Sequence, residues 1–138
     1  MRIPTEWLSR KHQAVLVTLR ADGSPQTSNI AYAFADGVAK ISVTDGRAKT
    51  HNLRRDPRAV LHVLGDTFWQ YASVSVTAEL SDVTVVPGDD VGEELLDTYE
   101  AIAGKAHPDS SEFFAAMVEE RRLVLRLTPT SAVSQGVD

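Results

Sequence analysis

A block of basic residues at positions 47–58 is the part of this sequence best suited to chemistry. Five of the chain's 14 Lys and Arg residues lie there, against one acid, Asp56. They are Arg47, Lys49, Arg54, Arg55 and Arg58. The block follows an alternating strand and Asp45-Gly46 and ends at Pro57, which predicts a strand, a tight turn and a short helix. The exposed N–H groups at a helix start attract anions, so this layout predicts a phosphate site.

The position of each cation in the predicted helix separates two interpretations of the block. Charged runs are often no more than solvated surface. Arg47 and Lys49, however, stand at the helix start, where cations oppose the helix dipole unless an anion is nearby. The later arginines stand at the helix end, where cations are favourable without a ligand. We therefore predict that Arg47 and Lys49 bind an anion, with help from Thr50 and Asn52, and that the later arginines are mainly structural.

Two further segments offer groups for a ligand. Gln26-Thr-Ser-Asn29 places four polar residues at the start of an otherwise apolar strand. They are either exposed beside a turn or form a row of donors and acceptors along a flat heteroaromatic ligand. Phe68-Trp69-Gln70-Tyr71 places aromatic residues at another strand start, where they either pack on the protein or form a stacking or dimer surface.

Familiar catalytic motifs are absent from the sequence. It contains no Walker loop, G-x-G-x-x-G, G-x-S-x-G or H-E-x-x-H pattern, and no cysteine. The four histidines show no metal-binding spacing, and His62, within an apolar strand, is expected to be a core residue. An enzyme without a protein nucleophile is most easily one whose cofactor performs the chemistry.

The composition limits the class of protein. The 138 residues predict one domain, over positions 1–138, with an ordinary globular composition. A net charge of −5 argues against a general nucleic-acid binder. The sequence has no apolar run near the roughly 20 residues needed to span a bilayer. Because the N-terminal segment also lacks a signal-peptide core, we expect a cytoplasmic protein.

The predicted elements favour a small α+β protein. Hydrophobic patterns and Asp-Gly turns predict six strands, at 14–20, 26–34, 38–44, 59–64, 70–80 and 123–128, the last ended by Pro129. Helices are predicted from Pro4, in the basic block, at 89–104, and from a cap at Asp109. Short hairpin-linked strands of this kind favour an antiparallel six-stranded barrel with flanking helices. Side chains fill so small a barrel, so a large ligand must bind outside it.

Taken together, these motifs resemble a known superfamily. Gly23-Ser-Pro-Gln-Thr-Ser-Asn-Ile30, then Arg47-Ala-Lys-Thr-His-Asn-Leu-Arg-Arg-Asp-Pro-Arg58, then Trp69-Gln-Tyr71 are similar to motifs of the split β-barrel flavin and deazaflavin oxidoreductases. These are the pyridoxamine 5′-phosphate oxidase-like superfamily. The closer likeness is to the actinobacterial branch that uses the deazaflavin coenzyme F420. The likeness runs from the first helix to the last strand.

The resemblance implies a homodimer with cofactors in grooves at the subunit interface. It implies that the basic block holds the cofactor phosphate, that polar strand residues line the tricyclic ring, and that the segment from Trp69 to Ser73 comes from the partner subunit. The cofactor contacts it implies are Gln26, Ser28, Asn29, Ser42, Thr44, Arg47, Ala48, Lys49, Thr50, Asn52, Trp69, Tyr71 and Ser73. Vitamin B6 oxidases carry a longer basic C-terminal region, so we expect a different activity here.

The leading hypothesis is a reductase that uses reduced F420 to transfer a hydride to an electron-poor acceptor. Enones, quinones, tetrapyrroles such as biliverdin, and nitro compounds are candidate acceptors, and the sequence offers no evident proton donor. FMN is the alternative cofactor, since it shares the tricyclic ring, the ribityl chain and the phosphate. A non-catalytic protein that binds the deazaflavin or a tetrapyrrole is the third hypothesis.

Overall fold

The computed structural model describes residues 2–137, which form one curled antiparallel sheet with helices packed outside it. The helices are α1 (Thr5–Ser9), α2 (Ala48–Arg55), α3 (Asp90–Ala103) and α4 (Ser110–Glu119). The strands are β1 (Gln13–Leu19), β2 (Pro25–Ala31), β3 (Ala33–Ala35), β4 (Val38–Thr44), β5 (Arg58–Leu64), β6 (Tyr71–Leu80) and β7 (Arg122–Gln135). Within this range no helix combines the length and hydrophobicity needed to cross a bilayer.

The order of the strands explains why the sheet curls. Neighbours follow the order β2-β1-β5-β6-β7-β4-β3, so β2 and β3 lie at opposite edges. Only Tyr32 separates β2 from β3 along the chain. The two edges must therefore meet, and the sheet closes into the split barrel that the sequence predicted.

Tyr32 also accounts for the one difference in strand number. The sequence predicted a single strand over 26–34, whereas the structure divides it at Tyr32 and has seven strands instead of six. The Tyr32 side chain is fully buried, and its hydroxyl donates to the Leu8 carbonyl over 2.8 Å. The chain bends here because it passes from one sheet edge to the other.

Alternating side chains fill the barrel interior. Ala39, Ile41 and Val43 of β4 face Leu123, Leu125 and Leu127 of β7, and all six are buried. The two strands pair residue for residue from Ala39–Leu127 to Thr44–Arg122. The residues between these buried positions point outward, and they form the surfaces on which a ligand can bind.

The prediction that Pro129 ends the last strand is wrong. β7 continues to Gln135, and the pairing with β6 is irregular where Val76 faces Pro129 and Ser75 faces Ser131. Thr130 is left over as the extra residue of a bulge. A bulge tolerates proline because the missing N–H need not take part in the ladder.

A hairpin of α3 and α4 covers the outer face of β4 and β7. The Asp89 carboxylate accepts from the Gly92 N–H to cap α3, and Asp109 caps α4 by accepting from the Glu112 N–H. Gly104 ends α3 with a φ of 74°, a conformation in which glycine is favoured. The Asp109 cap and the Gly104 stop agree with the prediction, whereas the sequence analysis gave Asp89 as a helix start without assigning it as a cap.

The helix hairpin is fixed to the sheet by apolar packing and by charge. Leu95 and Phe113 pack around Val124 of β7. The Glu94 carboxylate of α3 binds the Arg126 guanidinium at 2.6 Å and the Lys40 ammonium at 3.2 Å. The hairpin therefore has a defined position over the sheet, and it forms one wall of the site described next.

Candidate functional site

The start of α2 presents backbone donors that have no acceptor within the chain. Arg47 is the N-cap residue and has an extended backbone, with φ −76° and ψ 150°. The N–H groups of Thr50 and His51 both donate to the Arg47 carbonyl. Among residues 2–137, nothing accepts from the N–H groups of Ala48 and Lys49, and no side chain caps the helix. These two donors are available to an anion.

The cations of the basic block divide into paired and unpaired groups. Arg54 binds the Asp45 carboxylate at 2.6 Å, and Arg58 binds Asp56 at 2.8 Å. Arg55 donates to the Leu19 carbonyl at 2.9 Å. These contacts agree with the structural role predicted for the later arginines. In the described part of the chain, by contrast, neither Arg47 nor Lys49 forms a salt bridge.

Arg122 is a third cation near the start of α2, and the sequence analysis missed it. Burial lowers the pKa of the Lys49 ammonium, and the charges of Arg47 and Arg122 lower it further. The Arg122 guanidinium lies 3.4 Å from the Ser42 hydroxyl and 2.8 Å from the Glu120 carboxylate. It reaches the site because β7 pairs with β4 so that Arg122 stands opposite Thr44. No local pattern in the sequence signals that pairing.

Lys49 and Arg122 border one end of a groove between the sheet and the helix hairpin. The groove has a volume of about 450 Å³. Its polar end contains Lys49, Arg122 and Ser42, and its far side is strand β2 from Asn29 to Ala31. The helix wall consists mainly of apolar and aromatic side chains: Leu95, Thr98, Tyr99, Ile102, Ala103, Phe113 and Met117. A groove with an apolar wall and a cationic end suits a flat aromatic ligand that carries an anionic group.

Two of the side chains predicted to bind the phosphate lie behind the anion site. Thr50 is fully buried, and its hydroxyl donates to the Thr44 carbonyl over 2.8 Å. The buried Asn52 amide donates to Thr18 and Gln26, and its oxygen accepts from Arg55. Both side chains hold the helix start in place, and neither faces the groove.

The polar row of β2 divides between two faces, because alternate residues of a strand point in opposite directions. Gln26 turns toward Asn52, and its amide nitrogen donates to the Ser28 hydroxyl at 3.2 Å. Asn29 is exposed on the other face and lines the groove. Of the three β2 residues predicted to contact the cofactor, Asn29 is the one that lines the groove, together with Ser42 and Lys49.

A second cavity, of about 570 Å³, lies on the other side of Asn29. Its lining residues are Gln13, Ala14, Val15, Asn29, Ile30, Ala31, His62, Leu64 and Gly65. The expectation that His62 is a core residue is wrong. Its neighbours Leu61 and Val63 fill the core, so strand alternation turns the His62 ring outward into this cavity.

The predicted aromatic segment lies far from the cationic end within one chain. Trp69 is 66% exposed, with its ring 4.8 Å from that of Phe68. Tyr71 pairs with Gln135, at the opposite end of β7 from Arg122. Trp69, Tyr71 and Ser73 therefore do not join the groove of their own chain.

The comparisons with known proteins agree with this fold. Residues 5–135 match the family described as pyridoxamine 5′-phosphate oxidase. A solved structure described as an F420 reductase has a TM-score of 0.67 and 22% identity, over 96% of this chain and 98% of that one. A conserved hypothetical protein from Mycobacterium tuberculosis has a TM-score of 0.73 and 23% identity, over 95% of this chain and 81% of that one.

A relative with higher identity matches part of the chain. It is the F420H(2)-dependent biliverdin reductase of Mycobacterium tuberculosis (strain CDC 1551 / Oshkosh), 35% identical over 65 residues. The match covers 46% of this chain and 47% of that relative. Because the family match extends over nearly the whole barrel, from the first helix to the end of β7, the chain belongs to the pyridoxamine 5′-phosphate oxidase family.

Proposed function

We propose that this protein is an F420-dependent reductase. The observation that carries the proposal is the pair of cations Lys49 and Arg122 at one end of a groove with an apolar wall, with Arg47 close enough to act on Lys49. Burial and the charges of Arg47 and Arg122 lower the pKa of Lys49, and a bound anion would offset this repulsion. A matching relative named for its use of F420H(2) makes the deazaflavin the leading candidate.

The residues present fit such a cofactor. Arg47, Lys49 and the N–H groups of Ala48 and Lys49 would hold the phosphate, as at other helix starts. The apolar wall of α3 and α4 and the polar groups of Ser42 and Asn29 would hold the ring. When bound, the cofactor supplies a hydride, and the chain's own contribution is to position the reactants and exclude water.

An electron-poor conjugated molecule is the proposed acceptor. Hydride transfer needs an electron-poor group, such as a conjugated C=C or C=N bond, that can delocalise the incoming electron pair. Biliverdin belongs to this class and is named in the description of the matching relative, so it is the first acceptor to test. Quinones, enones and nitro compounds have the same electronic property and complete the substrate panel.

We also propose a homodimer in which the partner completes the groove. The outer face of β1, β2, β5 and β6 has an apolar centre at Val15, Val17 and Val60, all partly buried. Around it, Leu64, Phe68, Trp69 and Val133 are largely exposed. Trp69 and Tyr71 lie too far along the sheet to reach the groove of their own chain. In a symmetric pair the same segment of a second copy can reach it.

Parallel fluorescence titrations with F420 and FMN test the cofactor assignment. We expect micromolar or tighter binding of F420, followed by oxidation of reduced F420 when biliverdin is added. FMN has the same phosphate and is the second candidate, because the cationic end fits either molecule. Preference for FMN would replace the deazaflavin, and tight F420 binding without turnover of any acceptor would favour a carrier.

A further inference from the structure

His62 has surroundings that the cofactor groove does not explain. The ring is partly buried, lines the second cavity, and packs against Tyr71 with 5.6 Å between ring centroids. Within residues 2–137, no hydrogen-bond partner meets either ring nitrogen. A histidine side chain that faces a cavity and has no hydrogen-bond partner can donate a proton to a ligand there or accept one from it.

The register of the sheet places His62 in one row with two of the predicted cofactor contacts. Val15 of β1 stands between Asn29 of β2 and His62 of β5, and His62 stands opposite Ser73 of β6. Neighbouring strands lie about 4.8 Å apart, so Asn29 and His62 are about 10 Å apart across the sheet. This is close to the width of a small conjugated ring system.

Strand β2 also joins the two cavities. Asn29, Ile30 and Ala31 line both the groove and the cavity that contains His62. An acceptor in the second cavity would therefore lie next to a ring held in the groove, because the same part of β2 borders both cavities. The groove has cations to hold a phosphate, whereas the second cavity has His62 as its one titratable lining residue.

We infer that the second cavity is the acceptor site and that His62 protonates the acceptor. This inference rests on the proposed reductase function. The acceptor gains a hydride at carbon, which forms a C–H bond. Its conjugated electron pair moves to the distal oxygen or nitrogen, and that atom takes a proton from the His62 imidazolium. Solvent reprotonates the imidazole, so the acceptor is reduced by two electrons and gains two hydrogens.

The second cavity lies on the face that we propose the partner covers, because Val15 and Leu64 belong to both, so the acceptor would bind at the subunit interface. Within its own chain, few other ionisable groups face the His62 ring. Tyr71 is the titratable group packed against it from β6. The residues opposite it in register, Val15 and Ser73, carry no charge, and no charged residue lines the cavity. Within this chain, His62 is therefore the group placed to donate the proton, and Tyr71 is the group to test beside it.

The variant His62→Gln separates a proton donor from a merely polar side chain. With reduced F420 and biliverdin, we expect kcat to fall about 100-fold, the lower range for loss of a general acid. The wild-type decline of kcat toward alkaline pH should also disappear. The F420 affinity should stay within about twofold of wild type. His51→Gln, an exposed histidine on α2, is the matched control and should leave all three measurements unchanged.

Imidazole NMR gives a readout that does not depend on turnover. With oxidised F420 present, biliverdin should shift the ring-nitrogen signal that His62→Gln removes and leave the His51 signal in place. An unshifted signal overturns the acceptor site, as does a kcat and pH profile unchanged in His62→Gln. A parallel loss of F420 affinity overturns the proton-donor role in favour of a structural one. Wild-type protein that binds F420 but reduces no acceptor overturns the reductase function itself.

Discussion

The side-chain amide of Asn52 donates a hydrogen bond to Oε1 of Gln26 over a distance of 3.1 Å. The same nitrogen lies 3.0 Å from Oγ1 of Thr18, and the Asn52 oxygen accepts from Arg55. These bonds join α2 to β1 and β2 where the helix packs against the sheet. Since α2 carries Arg47 and Lys49, the geometry of the anion site depends on this buried junction.

Asn52→Ala should therefore lower stability. The change leaves the buried Thr18 hydroxyl and the Gln26 amide with fewer partners, and buried polar groups without partners cost about 1–3 kcal/mol. Urea denaturation should show a loss of about 2 kcal/mol in the free energy of unfolding. Asn29→Ala removes the same side chain from an exposed position and should change that energy by less than about 0.5 kcal/mol. Equal losses in the two variants would exclude the buried junction as the cause.

Lys49→Met should weaken cofactor binding and increase the thermal stability of the cofactor-free protein. Charge-assisted bonds to phosphate contribute about 1.5–3 kcal/mol, so the F420 dissociation constant should rise about 10- to 150-fold. Without cofactor, the change removes a partly buried cation that Arg47 and Arg122 repel, so the melting temperature should rise.

The pH dependence of this stability gain has a defined sign. The folded-state pKa of Lys49 lies below its unfolded value of 10.5, so the folded protein releases this proton first as the pH rises. The advantage of Lys49→Met should shrink as the pH rises from the folded-state pKa to 10.5, and it should vanish above 10.5, where Lys49 is neutral in both states. A melting temperature that does not rise near neutral pH would show that Lys49 is already compensated.

Arg122→Ala tests the cation that the sequence did not reveal. We expect F420 affinity to fall, by less than for Lys49→Met, because the Arg122 guanidinium is also bound to Glu120 at 2.8 Å. The adjacent Arg121→Ala makes the same change in net charge, but Arg121 binds Asp45 and does not line the groove. Equal effects of the two variants in a fluorescence titration would mean that only the overall charge matters.

Local patterns were sufficient to predict most of the elements and the helix start. The alternation of Ala39, Ile41 and Val43 and the cap at Asp109 depend on neighbouring residues, so a local stretch of sequence is enough to predict them. The break at Tyr32 and the continuation of β7 through Pro129 depend on which distant strand pairs with which. No single window of sequence contains that information.

The same distinction applies to the site. The place of Arg47 and Lys49 at a helix start could be predicted from local sequence, and their anion-binding role was inferred from the helix dipole, which acts over one turn. Asn52 sits in the same motif, yet its position around the helix turns it toward Thr18 and the interior. Strand pairing places Arg122 at the groove and His62 at the second cavity, and the composition of their own strands does not reveal that pairing.

The stability that Glu94 gives to the helix hairpin should be lost at acid pH. Hydrogen bonds from Arg126, and then from Lys40, lower the pKa of the Glu94 carboxyl. A lowered folded-state pKa contributes stability above the unfolded value of 4.5, which is lost as the pH falls through the folded value. The free energy of unfolding of Glu94→Gln should therefore be about 1–2 kcal/mol lower than that of wild type near neutral pH, after allowance for solvent screening. On acidification it should decrease by less than the wild-type value does.

Denaturation at a series of pH values measures this effect, and Glu93→Gln supplies the control. Glu93 is the preceding residue on α3 and is exposed. Its substitution makes the same chemical change outside the contacts with Arg126 and Lys40. If both variants kept the acid dependence of wild type, the ion pairs of Glu94 would not be what fixes α3 to the sheet.

Two exposed valines give a direct test of the proposed dimer face. Val133 of β7 stands opposite Ser73 and is 56% exposed, whereas Val85 is 69% exposed in the loop before α3. An unpaired carboxylate in a buried interface costs about 3 kcal/mol or more, so Val133→Asp should raise the dimer dissociation constant at least about 100-fold. Sedimentation velocity should then show monomer for Val133→Asp and dimer for Val85→Asp. Because the partner is proposed to supply Trp69 and Tyr71 to the groove, F420 affinity should fall in the first variant alone. Dimers that persist in Val133→Asp with unchanged cofactor affinity would place the interface on another surface.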